Sequence, residues 1–218
     1  MTVFPRLAIV APSTDRSVFL TRPFYPQARD GDATNPCIAV ATGFAEHGLE
    51  LLKLAGLSTV DAQAIVAAAT SNTATGSRDW QVAEKSGLLF KKPSILRAIG
   101  DASVPIGPMT TEPFGVDDLS TDLILDAPFM AKASALLGSN DLIAVIPKRG
   151  WLTVGRCQPG EIPVMDRFAK TAAGIASRAG RSALTTNCYF MQNGVVHGIT
   201  DGSYVSLLTN QTYRWNLG

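Results

Sequence analysis

Cys157 sits at Arg156-Cys157-Gln158, directly after an apolar run, and a thiol beside a guanidinium can ionise more easily than a free one. Joined by His197 as a base, it would supply the nucleophile of a small hydrolase or transferase. A second grouping is acidic: Glu112, Asp117, Asp118, Asp122 and Asp126 fall within fifteen positions. Two such carboxylates held in different environments could divide acid and base work, and Asp122 alternates with Leu123 along its segment. A third grouping is basic, Lys91-Lys92 with Arg97 and then Lys148-Arg149, and offers a small contact point for an anion. Each grouping has an ordinary reading as well. Cys157 fits a small strand-end residue and His197 a hairpin residue. Asp126 fits a helix cap, and paired cations fit a solvated turn. No local signature of a cysteine-nucleophile family surrounds Cys157, so the sequence assigns no catalytic residue.

Other chemistries lack their residue patterns. The two histidines, His47 and His197, are far apart, with no Cys-x-x-Cys, His-x-x-x-His or acidic calcium loop, so no metal site is expected. Thr75-Gly76-Ser77, Gly100 and Gly107 never form the glycine spacing and lysine of a phosphate cradle, and no cofactor is expected. A net charge of +1 without interleaved aromatics gives no field for nucleic acid or an anionic membrane. Cys37, Cys157 and Cys188 cannot all pair, and they read as buried reduced thiols of a cytoplasmic protein. Pro5 and Pro12 interrupt the first apolar patch, so no targeting segment is expected, and no run reaches the ~20 apolar residues of a membrane span.

These residues have to be positioned by the stretch Asp126–Gly180. Asp126 caps a short helix ended by Gly138. Residues 141–146 form a near-continuous apolar strand. Pro147-Lys148-Arg149-Gly150 turns the chain, residues 151–155 return, and a long helix runs from about Glu161 to Ala179. That helix places Met165, Phe168, Ala172, Ile175 and Ala179 on one face. Cys188–Gln192 and Val195–Ile199 flank Asn193-Gly194, a strong hairpin signal because both residues accept positive φ.

Ahead of this core, residues 7–11 read as a strand with 17–21 as its hairpin partner, and 37–41 as another. Phe44–Ala55 has helical spacing. Ser58 opens a further helix with Val60, Ala64, Ile65 and Ala68 as its buried face. Residues 80–84 and 121–125 read as strands, and 94–99 as one or two helical turns. The pattern predicts an α+β fold: a mixed, largely antiparallel sheet with helices packed on its faces. The chain divides into an N-terminal α/β segment, residues 1–75, and a C-terminal α+β core, residues 76–218, or forms one continuous domain.

The order of these elements resembles the YtpQ-like family of uncharacterised bacterial proteins. The likeness rests on Leu54-Ala55-Gly56-Leu57-Ser58 opening a helix, a strand ending at Leu125, Asp141–Pro147 with its partner strand, the long helix and the final hairpin. It covers roughly the last 170 of the 218 residues and is most specific around Asp141–Val154. The chain departs from that family in lacking a charged helix surface. The family carries no established activity, so the resemblance implies a fold and no substrate.

Of the 218 residues, 46% are hydrophobic and only 17% charged, against about 25% charged in an ordinary soluble domain. Mean hydropathy is +0.14. Such a chain needs a large core or a covered surface. The expectation is a non-enzymatic interaction or accessory protein with a protein partner or a second copy, the homodimer burying the 188–199 hairpin or the helix before it. The alternative is a small hydrolase or transferase using Cys157 with His197, or the carboxylates near Asp122.

Overall fold

Arg6–Val10 (β1) and Cys37–Ala45 (β3) are apolar at nearly every position because both lie inside a packed body. They run antiparallel, with Arg6 opposite Ala41 and Val10 opposite Cys37. The structure, a computed structural model, describes residues 5–25, 34–45, 48–73, 78–86, 92–99, 119–202, 205–207 and 215–216. Its strands form two sheets rather than one, and every strand pair among the described residues is antiparallel. In the smaller sheet β3 is central, flanked by β1 and Thr21–Pro23 (β2), and its far end folds back onto Gly48–Leu51 (β4).

Two expectations fail here. Residues 17–21 do not pair with β1; Thr21–Pro23 pairs instead with β3, and Phe19 bridges Lys53. Phe44–Ala55 is not a helix. Leu49 and Leu51 also fit the two-residue period of a strand, and the Leu52 N–H reaches back to the Val40 carbonyl. His47 lies outside the described residues.

The larger sheet runs Val205–Leu207 (β11), Val195–Thr200 (β10), Cys188–Gln192 (β9), Asp141–Val145 (β7), Thr153–Arg156 (β8), Lys92–Ile99 (β6), Asp79–Ser86 (β5). The expected central hairpin is present, with Leu142 opposite Arg156 and Val145 opposite Thr153. Its first strand is apolar throughout because each parity has its own buried cluster. Leu142 and Ala144 share one with Leu7, Ile9, Ile38 and Val40 of the smaller sheet and with Phe129 and Met130. Ile143 and Val145 share the other with Met165, Phe168 and Ala172. Residues 94–99 belong to strand β6, not to helical turns. Leu96 and Ala98 fall into the first cluster, and the strand is bonded on both sides, to β5 and β8. The 188–199 hairpin turns through Asn193 and Gly194, both at positive φ, but it is not the sheet edge, since β11 lies outside it.

Helix α1 (Thr59–Thr73) opens at Ser58 as expected, through a capping pair: the Asp61 N–H donates to Ser58 Oγ (3.2 Å), and the Ser58 hydroxyl donates to the Asp61 carboxylate (2.6 Å). Its buried face is Ala62, Ala69 and Thr73, not Val60, which is 74% exposed, nor Ala64 and Ala68. The helix is alanine-rich with no strong apolar stripe. Small residues and the Thr73 hydroxyl, which accepts from the Leu7 N–H at 2.6 Å, set the face that meets β1. Residues 119–125 form a 3₁₀ helix instead of a strand. Thr121 and Asp122, adjacent in sequence, both bond to the 148–151 turn, whereas in a strand they would point to opposite faces.

Helix α2 (Ala127–Leu137) starts at Asp126, whose side chain accepts from the Phe129 N–H at 3.1 Å, and ends at left-handed Gly138. Helix α3 (Ile162–Ala176) buries Met165, Phe168 and Ala172 of its expected stripe, while Ile175 is half-buried and Ala179 lies beyond the helix, which ends three residues earlier than expected. No described helix is long and apolar enough to cross a membrane.

Candidate functional site

Asp122 is fully buried because the 3₁₀ helix turns it inward against the β7–β8 turn. Arg149 takes its carboxylate in a two-pronged grip, Nη1 to Oδ1 and Nη2 to Oδ2, each 2.7 Å. The Ile9 N–H donates to Oδ1 (2.7 Å), and Arg149 Nη1 also donates to the Ile9 carbonyl (2.7 Å). Ile9 lies on the outer edge strand of the smaller sheet, whose free backbone groups would otherwise be unpaired. The ion pair therefore does for Ile9 what a further strand would do, as Thr73 does for Leu7. A carboxylate gripped at both oxygens, with no exposure to solvent, has no oxygen left for a substrate.

Asp126 is likewise occupied. It caps α2 and pairs with Arg78, beside a Trp80–Phe129 stack with ring centroids 4.5 Å apart. Glu112, Asp117 and Asp118 lie outside the described residues.

Cys157 is 1% exposed, and its thiol donates to the Gln158 carbonyl at 3.4 Å. Burial first, then the negative charge of Glu161, push this thiol up to about 12. Arg156 therefore does not activate it. Cys188 is raised to about 12 as well, by burial and then by Cys157 and Asp201, and burial raises Cys37. His197 sits at the bulge in β10, its ring stacked on Phe190 at 6.4 Å. Burial lowers its pKa, opposed by the charge of Asp141. His197 thus has Phe190 and the Asp141 carboxylate beside it, while the Cys157 thiol lies with Gln158, Glu161 and Cys188. Among the described residues, no group of three or more His, Cys, Asp or Glu converges where a metal could bind.

The basic residues meet a partner that the sequence reading overlooked. The Arg97 guanidinium lies 3.9 Å from the centre of the Trp151 ring, and Lys148 Nζ 5.7 Å from the same centre. Trp151 follows Lys148-Arg149-Gly150, and this aromatic beside a basic pair is the signal that could have located the site. Beside the ring opens a cleft of about 290 Å³, lined by Ile95, Arg97, Val145, Trp151, Thr153 and Phe168 together with Ala83, Arg167 and Thr171. Strand register explains its position. Phe168 of α3 lies on Gly155, so Gly155, Ile95 and Ile143 form a covered row. On the next row of that face, Arg97–Thr153–Val145, Arg97 and Thr153 stay partly exposed and form the floor, while Val145 is buried at its inner end. Arg167 at the rim pairs with Glu84, whose carboxyl this contact holds below its ordinary range. Lys91 lies outside the described residues, and Lys92 is described in its backbone alone.

Compared with protein-family models, curated proteins and solved structures, the chain matches none.

Proposed function

We infer that the chain is a non-enzymatic interaction protein whose partners include a second copy of itself. The observation that carries this is the fate of the candidate chemistry. Asp122 is closed off by Arg149 and Ile9, and the Cys157 thiol is buried and held protonated. In this reading α2 and α3 pack on opposite faces of the larger sheet, and the sheet ends remain for contact. At one end β11 has no strand beyond it among the described residues. Val205 and Leu207 are exposed there, with Val195 on the neighbouring strand. An open apolar edge suits pairing with an identical edge.

Two measurements test the reading. Light scattering at micromolar concentration is expected to give twice the 23.1 kDa of one chain, reduced to one chain by Val205→Lys with Leu207→Lys. A strict monomer at every concentration removes the self-association. Turnover of simple aryl esters that disappears in Cys157→Ala would overturn the non-enzymatic assignment.

A further inference from the structure

The geometry points to the cleft beside Trp151 as a binding site for a small organic carboxylate with a planar apolar body. The inner wall is apolar, Ile95, Val145 and Phe168, with the flat indole of Trp151 along one side. An inorganic anion, fully hydrated, gains nothing from such a wall. The volume of about 290 Å³ lies at the small end of the range for small-molecule sites, about 300–1,000 Å³. It suits a single ring with a short side chain.

The cations around this cleft exceed the carboxylates. Arg167 is answered by Glu84. Arg97 and Lys148 have no carboxylate partner among the described residues, and the recorded contact of each charged group is the Trp151 ring. A guanidinium that uses its face on an indole keeps its in-plane N–H edge free, and that edge is shaped to fork a carboxylate. Arg97 also shares its strand row with Thr153, whose hydroxyl adds a donor on the floor. The acid group is therefore placed at Arg97, with the ring of the ligand against Trp151 and the exposed part of Ile95.

This site does not rest on self-association or on the absence of catalysis, because β11 lies at the opposite end of the sheet. Ligand-observed NMR with the full chain tests it, using 3-phenylpropionate, indole-3-acetate and the corresponding amides as probes. Both acids are expected to bind, and each amide to bind at least tenfold more weakly. Arg97→Gln should weaken the acids about tenfold and leave the amides unchanged. Thr171→Trp, on the exposed side of α3 at the cleft mouth, should weaken acids and amides alike without lowering the melting temperature. The monomeric Val205→Lys, Leu207→Lys variant should bind as the parent does. Equal binding of acid and amide, indifference to Arg97→Gln in a folded variant, or no signal from either acid at millimolar concentration would each overturn the assignment.

Discussion

Arg149 and Asp122 form a closed ring of bonds with a single backbone residue. The carboxylate accepts from the Ile9 N–H, the guanidinium donates to the Ile9 carbonyl, and the two side chains grip each other at 2.7 Å. The Asp122 side chain is wholly buried and that of Arg149 14% exposed, so water cannot replace a missing partner. Removing one partner strands a buried charge. Arg149→Met is expected to cost about 3–5 kcal/mol in urea unfolding. Adding Asp122→Leu should restore much of this loss, though not all, because the Ile9 backbone groups lose their partners in the double variant. A single-variant loss under 1 kcal/mol would contradict the arrangement.

Phe168 rests on Gly155 with no room between them. A Cβ at position 155 would lie 2.7 Å from Phe168 Cζ and 3.2 Å from the Ser94 carbonyl. Gly155→Ala should therefore cost about 1–3 kcal/mol by overpacking. Phe168→Ala should cost about 3–5 kcal/mol through the cavity it leaves. The two changes share one space, so the double variant should cost less than their sum, by an amount that a double-mutant cycle can read.

The elements that were legible in the sequence carry their own local punctuation. Asp126 and Gly138 bound α2, Ser58 opens α1, and Asn193-Gly194 turns the last long hairpin. The misread ones are settled by distant partners. Residues 94–99 become a strand because β5 and β8 bond to both sides. Residues 121–125 coil because Asp122 has to reach Arg149, 27 positions away. The same holds for the candidate site. Arg97 and the 148–149 pair stood out as charges, but which charge is used up and which stays free depends on Asp122 and Trp151. Sequence spacing alone does not separate Arg149 in its ion pair from Arg97 on its indole.

The buried thiols give stability a defined alkaline limit. Cys157 and Cys188 ordinarily ionise near 9 but hold their protons to about 12 in the native protein. Above pH 9 the unfolded chain therefore binds fewer protons than the native one, and stability falls as pH rises. This contribution is whole below about 9 and lost by about 12. Cys37 and Tyr25, both raised by burial, act in the same direction. His197 acts at the other end. Its lowered pKa gives a contribution present above about 6.5 and lost as pH falls further. Urea midpoints followed from pH 5 to 11 should show both slopes. Cys157→Ala with Cys188→Ala should flatten the alkaline one, and His197→Gln the acid one. Iodoacetamide should label all three native thiols slowly at neutral pH; rapid labelling of Cys157 there would contradict its burial.

The turn at Asn193-Gly194 is docked as well as tight. Gly194 has φ +79°, and a Cβ there would lie 2.6 Å from the Ala127 carbonyl oxygen in the first turn of α2. Asn193 also has positive φ, but asparagine tolerates that region. Gly194→Ala therefore combines a left-handed penalty of about 1–2 kcal/mol with an overlap against main chain that no rotamer can relieve. Its loss should exceed that of Asn193→Ala, which keeps only the conformational part. The hairpin and α2 have to separate to admit the methyl group, so hydrogen exchange should quicken at the start of α2 in Gly194→Ala and not in Asn193→Ala. Equal losses for the two variants, with α2 protection unchanged in both, would show that the turn does not rest against the helix.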